Sequence, residues 1–197
     1  YEMGKRNVWI KRYSRETLRQ QFIEIIDLLN EKNIPYHLEG GVLLGIVRDG
    51  DLLPWDNDTD LSINFEDYKF LEIAAKEIKR LGWRCKFKKF DTSSSFATAD
   101  DIRVFKISDY WLGCMKGGNR MDIFLKYQVD GYRCWSAAGA FMRVDNKYYD
   151  GYELIEWNNR KLRVPKHYRE YLTEKYGDWS VPQKVWSAKS EGTVFGG

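Results

Sequence analysis

A glycine pair is followed closely in this chain by three evenly spaced aspartates. Gly40 and Gly41 begin an apolar run. Aspartates then recur at every second position, at Asp56, Asp58 and Asp60. Adjacent glycines let backbone amides approach an anion, and carboxylates are hard oxygen ligands for a cation such as Mg²⁺. The pattern therefore predicts a phosphate cradle beside a cation site, as phosphoryl or nucleotidyl transfer requires.

Their positions relative to the predicted strand distinguish Asp58 and Asp60 from Asp56. From Asp60 onward the chain alternates like a strand, with Leu61 on the apolar face. Because Asp58 and Asp60 are two residues apart, extended backbone points both side chains the same way, towards one cation. Asp56 has the same parity but follows Pro54, where the backbone is expected to turn. We therefore predict that Asp56 shapes the turn rather than binding the cation.

A further carboxylate lies inside a predicted apolar strand at residues 120–125. Asp122 alternates there with Met121 and Ile123. A solitary carboxylate in such a strand is costly unless it is paired or bound to a metal. Asp122 is therefore predicted to complete the metal site. Arg120 lies two residues earlier and is expected to share the face of Asp122.

Apolar periodicity predicts the surrounding elements. Helices are predicted at residues 15–32, with Ser14 as N-cap, and at 42–47, 67–81 and 166–176. Strands are predicted at residues 36–39, 60–64, 83–90, 102–108, 120–125, 152–156 and 161–164. The N-terminal amides of the helix at 42–47 are expected to face an anion.

Composition excludes several classes of protein. The length of 197 residues, of which 43% are hydrophobic, suits one domain with a substantial core. A net charge of +3 gives no electrostatic case for a nucleic-acid partner. No apolar run reaches the ~20 residues of a membrane span. Cys85, Cys114 and Cys134 match no zinc spacing, so we expect neither a zinc site nor a disulfide, and a reducing compartment such as the cytoplasm.

Aromatic residues make up 16% of the chain and are expected to serve mostly in the core. Five tryptophans of the second half lie near polar residues, namely Trp111, Trp135, Trp157, Trp179 and Trp186. Aromatic faces in a cleft stack on sugars or nucleobases, and they also bind choline by cation–π contact. The sequence does not assign particular rings to either role.

Together these motifs resemble the nucleotidyltransferase fold, and more closely the LicD/fukutin family of phosphotransferases. The resemblance extends over roughly residues 36–182. It is carried by Glu39-Gly40-Gly41-Val42-Leu43-Leu44-Gly45, Arg48-Asp49-Gly50, Pro54-Trp55-Asp56-Asn57-Asp58-Thr59-Asp60 and Arg120-Met121-Asp122-Ile123-Phe124, and by the tail pattern Val164-Pro165, Tyr171-Leu172, Tyr176-Gly177-Asp178-Trp179 and Pro182. The family often has a carboxylate where this chain has Asn57. Because position 57 is not one of the aspartate positions spaced two residues apart, we expect metal binding to persist.

The resemblance implies an α+β fold, with a nucleotidyltransferase-like mixed β-sheet flanked by helices and a small C-terminal extension. It also implies one catalytic domain over residues 1–197, with a motif core at about 36–127 and a C-terminal part at about 128–197. The protein is expected to be cytoplasmic or membrane-proximal, without a transmembrane segment.

The implied reaction moves a phosphorylated alcohol from a CDP-linked donor to a hydroxyl of a glycan or polysaccharide and releases CMP. Phosphocholine is the leading group, with ribitol phosphate and glycerol phosphate as alternatives. The expected cofactor is Mg²⁺, or Mn²⁺ in its place. The residues predicted for the site are Asp58, Asp60 and Asp122 as catalytic metal ligands, and Gly40, Gly41, Arg48, Trp55 and Arg120 as phosphate or donor ligands. Asp122 is also predicted to accept the proton of the attacking hydroxyl, as a general base.

Other interpretations remain open at this stage. The same metal site would serve transfer of a nucleoside monophosphate from a nucleoside triphosphate. A catalytically silent module that binds a glycan or nucleotide is a further alternative. Arg48 could form a surface salt bridge, and Trp55 could wedge the turn instead of stacking on a base. A helix–loop–helix calcium loop is excluded, because Leu61 and Asp67 occupy the positions, counted from Asp56, that would need glycine and glutamate.

Overall fold

A computed structural model describes residues 14–111, 115–182 and 191–196. The helices in this part of the chain are α1 (Arg15–Glu31), α2 (Gly40–Asp49), α3 (Lys69–Arg80) and α4 (Tyr168–Tyr176). The strands are β1 (His37–Glu39), β2 (Asp58–Asn64), β3 (Arg84–Lys89), β4 (Ile102–Trp111), β5 (Met115–Val129), β6 (Tyr132–Ala137), β7 (Ala140–Asp145), β8 (Glu153–Trp157), β9 (Arg160–Val164) and β10 (Val194–Gly196).

A mixed sheet organises the molecule around the long strand β5. Among the described residues eight strands join it, in the order β1-β2-β5-β6-β7-β10, with β4 also paired to β5 and β3 to β4. The pairing of β2 with β5 is parallel, and the other pairings in this sheet are antiparallel. The strands β8 and β9 form a separate hairpin. The predicted α+β fold, a mixed sheet flanked by helices, is confirmed.

The core lies between α1 and the apolar face of β2 and β5. Leu61 and Ile123 are direct neighbours on these strands and are fully buried. Phe22 and Ile25 of α1 are also fully buried, and α1 packs against β2, β5 and α3. Because side chains alternate along a strand, the residues between these apolar positions point to the opposite face. That face carries the aspartates.

Most predicted elements are present with boundaries shifted by a few residues. Ser14 caps α1 as predicted, accepting a hydrogen bond from Thr17 N at 3.4 Å. The helix predicted at 42–47 is longer and begins at Gly40 itself. The glycine pair is therefore the first turn of α2 rather than a loop before it.

The β6–β7 hairpin was not predicted from the sequence. A two-residue turn leads into it at Asp130 and Gly131, which have φ of 48° and 82°. A second such turn joins its strands at Ala138 and Gly139, with φ of 50° and 73°. Positive φ at both central residues is the geometry that connects tightly paired antiparallel strands. The Asp-Gly pair was a readable signal for the first of these turns.

No helix in the described ranges is long and apolar enough to cross a membrane. Cys85 and Cys134 are free thiols. Cys114 and Trp186 lie outside the described residues.

Candidate active site

A cavity of about 380 Å³ opens over the polar face of β2 and β5. Its walls come from the first turn of α2, the β6–β7 hairpin and the segment that follows α4. Seven of the eight residues predicted for the site line it, namely Gly40, Gly41, Arg48, Trp55, Asp58, Asp60 and Asp122. The eighth, Arg120, is not among the lining residues.

A row of charged residues crosses the sheet beneath this cavity. Glu39 pairs with Asp60, and Asp60 pairs with Asp122 on the next strand. Asp122 in turn pairs with Lys106 of β4, which donates a hydrogen bond to Asp122 Oδ2. Side chains in one row of a sheet point to the same face. Strand pairing therefore brings together three carboxylates and a lysine from distant parts of the sequence.

Asp58 lies two residues before Asp60, at the start of β2, and faces the same cavity. Its partner on β5 is Arg120, whose guanidinium lies 3.8 Å from Asp58 Oδ2. The side chain of Arg120 is 45% exposed. Parity thus placed Asp58 and Asp60 on one face correctly, whereas Arg120 is a neighbour of Asp58 outside the cavity lining.

The glycine pair accommodates carboxylates at close range. A Cβ on Gly41 would lie 2.0 Å from Asp56 Oδ2, and one on Gly40 would lie 3.1 Å from Asp60 Oδ2. Gly40 also has a φ of 56°, which favours glycine. Asp56, predicted only to shape the turn, lines the cavity with its carboxylate against Gly41. Any side chain at position 41 would therefore displace Asp56.

Arg48 and Trp55 flank the cavity in different ways. Arg48 is held in a fork by Asp49, with Nε and Nη2 each 2.8 Å from a carboxylate oxygen. Arg48 therefore forms the salt bridge that was considered for it and also lines the cavity. Trp55 is 60% exposed at the cavity wall, where a ligand can reach its side chain.

Burial and mutual repulsion disfavour ionisation of the aspartates. Burial raises the pKa of Asp56 to about 6, with Asp58 adding to the effect. Burial also raises the pKa of Asp58, and Asp122 adds to the rise while Arg120 opposes it. The pKa of Asp60 is raised well above its usual value by burial and by the charges of Asp58 and Asp122. The three aspartates are therefore harder to ionise than solvated carboxylates.

The donor set fits a hard divalent cation in its chemistry. Asp122 Oδ1 is a buried oxygen without a hydrogen-bond partner, and Asp60 shares its row. In the described residues, however, no three His, Cys, Asp or Glu side chains already converge as metal ligands. Lys106 holds the second oxygen of Asp122, so metal binding through both oxygens would require this lysine to move.

Sequence reasoning missed a buried network around Glu39. The carboxylate caps α2 by accepting from Gly40 N at 3.3 Å. It also accepts hydrogen bonds from Tyr149, at 2.7 Å, and from Tyr171. Lys126 and Lys175 lie 2.7 and 3.1 Å from its oxygens. Burial alone would raise the pKa of Glu39, but the two lysines outweigh it and hold the pKa well below its usual value.

This network ties the glycine turn to the C-terminal part of the chain. Lys175 of α4 also pairs with Glu191 at 3.3 Å, and both residues line the cavity. The elements that carry Tyr149, Tyr171 and Lys175 are far from Glu39 in sequence. The tail pattern of the family included Tyr171 but gave it no role, and no local pattern marked Tyr149 or Lys175, because an isolated lysine or tyrosine usually belongs to the surface or the core.

The tryptophans have different surroundings. Trp135 lines the cavity, with Lys126 Nζ 3.3 Å from its ring centroid. Trp179 also lines the cavity, beyond α4. Trp157 instead belongs to the core, where it packs edge-on against Phe22. The aromatic contribution to the described cavity therefore comes from Trp55, Trp135 and Trp179, together with Tyr176 and Phe124.

Comparison with known families agrees with this geometry. The family model described as "LicD/FKTN/FKRP, nucleotidyltransferase domain" matches residues 33–167. The chain belongs to the LicD/FKTN/FKRP family. The matched range includes the glycine pair, Asp58, Asp60 and Asp122, and ends before Lys175. The predicted family and its nucleotidyltransferase-type fold are thus confirmed.

Two human transferases are similar in sequence to this chain over part of their length. Ribitol-5-phosphate transferase FKTN of Homo sapiens is 28% identical over 169 residues, which cover 82% of this chain and 32% of the human protein. Ribitol 5-phosphate transferase FKRP of Homo sapiens is 41% identical over 59 residues, 30% of this chain and 12% of that protein. The chain therefore spans about a third of the length of FKTN.

Solved structures offer a more distant similarity. The crystal structure of ANT(2")-Ia in complex with adenylyl-2"-tobramycin matches 88% of this chain and 83% of that one, with 18% identity and a TM-score of 0.46.

Proposed function

We propose that this chain catalyses metal-dependent transfer of a phosphorylated alcohol from a CDP-linked donor to a hydroxyl of a glycan, releasing CMP. The observation that carries the proposal is that Asp58, Asp60 and Asp122 line one cavity beside the first turn of α2. Family membership and the name ribitol-5-phosphate transferase of its relatives support the same class of reaction.

The aspartates have the chemistry to hold Mg²⁺. Asp58 and Asp60 project from one strand, and Asp122 Oδ1 offers a buried oxygen that lacks a hydrogen bond. When bound, a divalent cation neutralises charge on a diphosphate and stabilises the transition state. The backbone amides at the start of α2 would bind phosphate oxygens beside it. Arg48 would contribute a further positive charge at the cavity wall.

The transfer itself is an in-line substitution at phosphorus. The acceptor hydroxyl oxygen forms a bond to the phosphorus that carries the alcohol. The bond from that phosphorus to the bridging oxygen of CMP breaks, and its electron pair leaves on CMP. The hydroxyl proton passes to a carboxylate of the cavity. Asp122 is the residue proposed to accept it, on Oδ2, which requires Lys106 to release that oxygen.

The names of the relatives favour a neutral alditol over choline as the transferred alcohol, because the curated relatives are named as ribitol phosphate transferases. Among the aromatic lining residues, Trp135 is not free to receive a quaternary ammonium, since Lys126 lies 3.3 Å from its ring centroid and Lys175 lies 5.5 Å from it. The exposed Trp55 could still serve phosphocholine. Ribitol phosphate is therefore the transferred group that we favour. Phosphocholine, which the sequence analysis favoured, becomes the second candidate.

A donor panel tests this proposal. The purified chain is incubated with Mg²⁺, a glycan acceptor mixture and CDP-ribitol, CDP-glycerol, CDP-choline or one of the four nucleoside triphosphates. We expect CMP from CDP-ribitol, and less or none from CDP-choline. Release of pyrophosphate from a triphosphate, without CMP from any CDP donor, would instead support nucleotidyl transfer, the activity in the name of the family domain.

A further inference from the structure

The charge of this chain is distributed unevenly. Residues 69–89, which contain α3 and β3, hold eight lysines and arginines and two glutamates, a net charge of +6. Because the whole chain carries +3, the other residues together carry −3. One short stretch therefore makes one part of the molecule strongly positive.

The helix α3 and the strand β3 form one edge of the molecule. Among the described residues β3 pairs with β4 alone, so it is an edge strand of the sheet. The helix packs against β3, and Cys85 Sγ of β3 donates to Ala75 O at 3.9 Å. Leu71, Ala74 and Ile78 of α3 are buried. We call the exposed surface of residues 69–89 the basic edge.

The cations of the basic edge are open to solvent. Arg84 is partly buried, and the other seven are exposed, namely Lys69, Lys76, Lys79, Arg80, Lys86, Lys88 and Lys89. Arg80 pairs with Glu77, and Lys89 pairs with Asp100. In the described part of the chain the remaining six cations form no salt bridge. Unpaired like charges repel one another, and an anionic partner relieves that repulsion.

Aliphatic side chains lie among these cations. Ile73 is 55% exposed and Leu81 is 40% exposed. Lys69, Ile73, Lys76 and Arg80 recur at helical spacing, so they share one face of α3. Cations attract the phosphates of anionic lipids, and exposed aliphatic side chains enter the headgroup region. A nucleic acid uses the cations but gains nothing from aliphatic side chains, because its bases stack on aromatic rings.

We propose that the basic edge docks this chain on the surface of an anionic lipid bilayer. The lysines and arginines lie against lipid phosphates, and Ile73 and Leu81 enter the headgroup region. None of residues 69–89 lines the main cavity of the candidate site, so docking leaves that cavity free. The docking surface is independent of the proposed function, because it depends on neither the aspartates nor a donor.

Sedimentation with lipid vesicles tests this docking. The whole chain is mixed with vesicles of phosphatidylcholine alone, or of equal parts phosphatidylcholine and phosphatidylglycerol, at low and at high salt. We expect binding to the anionic vesicles and little binding to the neutral ones. Binding should weaken at high salt, because ions screen exposed charges.

Paired substitutions locate the docking surface. Lys86→Gln with Lys88→Gln removes two charges from β3, and Lys76→Gln with Lys79→Gln removes two charges from α3. Each pair should weaken binding to the anionic vesicles about thirtyfold, which corresponds to about fivefold for each cation near such a surface.

The matched control is Lys161→Gln with Arg169→Gln. It removes two exposed cations that lie outside residues 69–89, so the net charge changes equally. Its binding to the vesicles should be nearly unchanged. All three pairs should unfold at nearly the temperature of the unaltered chain, because exposed substitutions change stability little. Thermal unfolding therefore separates a lost docking contact from a misfolded variant.

Ile73→Ser distinguishes a bilayer from a soluble polyanion. It should weaken binding to the anionic vesicles severalfold and leave retention on a heparin column unchanged, because only lipid takes up an aliphatic side chain. Unchanged vesicle binding by Ile73→Ser would make a soluble polyanion the partner and overturn the bilayer.

Four further outcomes would overturn the docking surface: no binding to anionic vesicles, equal binding to neutral vesicles, an equal loss in the control pair, or displacement from vesicles by a nucleic-acid duplex at equal phosphate concentration. Exposed lysines also protect edge strands from aggregation. Aggregation of the Lys86 and Lys88 pair, with unchanged vesicle binding of the soluble fraction, would assign these lysines that role instead. Vesicle binding without CMP release from any donor would support the docking and refute only the reaction.

Discussion

Asp60 and Asp122 are direct neighbours on the parallel strands β2 and β5, so the pairing that builds the sheet also sets two carboxylates side by side. Burial raises the pKa of Asp60 well above its usual value, and the charges of Asp58 and Asp122 add to the rise. Lys106 offsets the negative charge of Asp122 only, by donating a hydrogen bond to Asp122 Oδ2. A cation bound between these carboxylates would offset the repulsion between them.

Lys106 should stabilise the chain most when no metal is bound. We predict that Lys106→Met lowers the free energy of unfolding by about 1–3 kcal/mol in EDTA, because it leaves a partly buried carboxylate unpaired. In excess Mg²⁺ the loss should shrink, since the cation replaces the lysine charge. Thermal unfolding in both buffers measures this, with the exposed Lys86→Met as control. An equal loss in both buffers would contradict the prediction.

Glu39 should be the most sensitive position of the buried network. Glu39→Gln leaves the buried Lys126 without its counter-ion and leaves Lys175 paired with Glu191 alone, so we expect a loss of roughly 3–5 kcal/mol in stability. Tyr171→Phe removes one hydrogen bond and should cost about 1–3 kcal/mol. Urea unfolding measures both, and the exposed Glu72→Gln on α3 provides the control. If Glu39→Gln were no worse than Glu72→Gln, the network would not hold the glycine turn.

Gly41 and Asp56 should be energetically coupled. Gly41→Ala places a Cβ 2.0 Å from Asp56 Oδ2, and overpacking of this kind costs about 1–3 kcal/mol. In an Asp56→Ala background the same change should cost much less. A double-mutant cycle of unfolding free energies measures the coupling. Gly139→Ala is a useful comparison, because it strains a positive φ without meeting any atom. Additive costs at positions 41 and 56 would contradict the contact.

His37 should make stability depend on pH. Burial lowers its pKa from the ordinary value of 6.5 to about 4 in the folded chain. Between these values the unfolded chain binds the proton and the folded chain does not, so stability falls as pH drops from about 6.5 to 4. The contribution is at most roughly 3 kcal/mol. His37→Gln should flatten this part of the profile, measured by urea unfolding at several pH values, and an unchanged slope would contradict the prediction.

The predictable parts of the candidate site are those that depend only on residues close together in the sequence. Asp58 and Asp60 share a face because strand geometry fixes parity, and Asp122 was found because a carboxylate in an apolar strand needs a partner. Lys106 was not predicted, because a lysine in a strand is normally a surface residue and only the register of β4 against β5 reveals its partner.

Residues held by tertiary contact were also beyond the sequence. Lys175 and Tyr171 reach Glu39 from α4, and no periodic pattern connects these segments. Asp56 was assigned to the turn because it follows Pro54, yet the turn itself carries the carboxylate to Gly41. Asn57, by contrast, is exposed and does not line the main cavity. This agrees with its position between the aspartates that are spaced two residues apart.

The most direct test of the account is CMP release from CDP-ribitol, with Mg²⁺ and acceptor present, by the unaltered chain and by Asp60→Asn. Asn keeps the shape of the side chain and removes the charge, and the exposed Asp91→Asn is the matched control. We predict a loss of about a hundredfold or more in Asp60→Asn, with a thermal midpoint in EDTA equal to or above that of the unaltered chain, because a repulsive charge is gone. Full CMP release by Asp60→Asn would contradict the account.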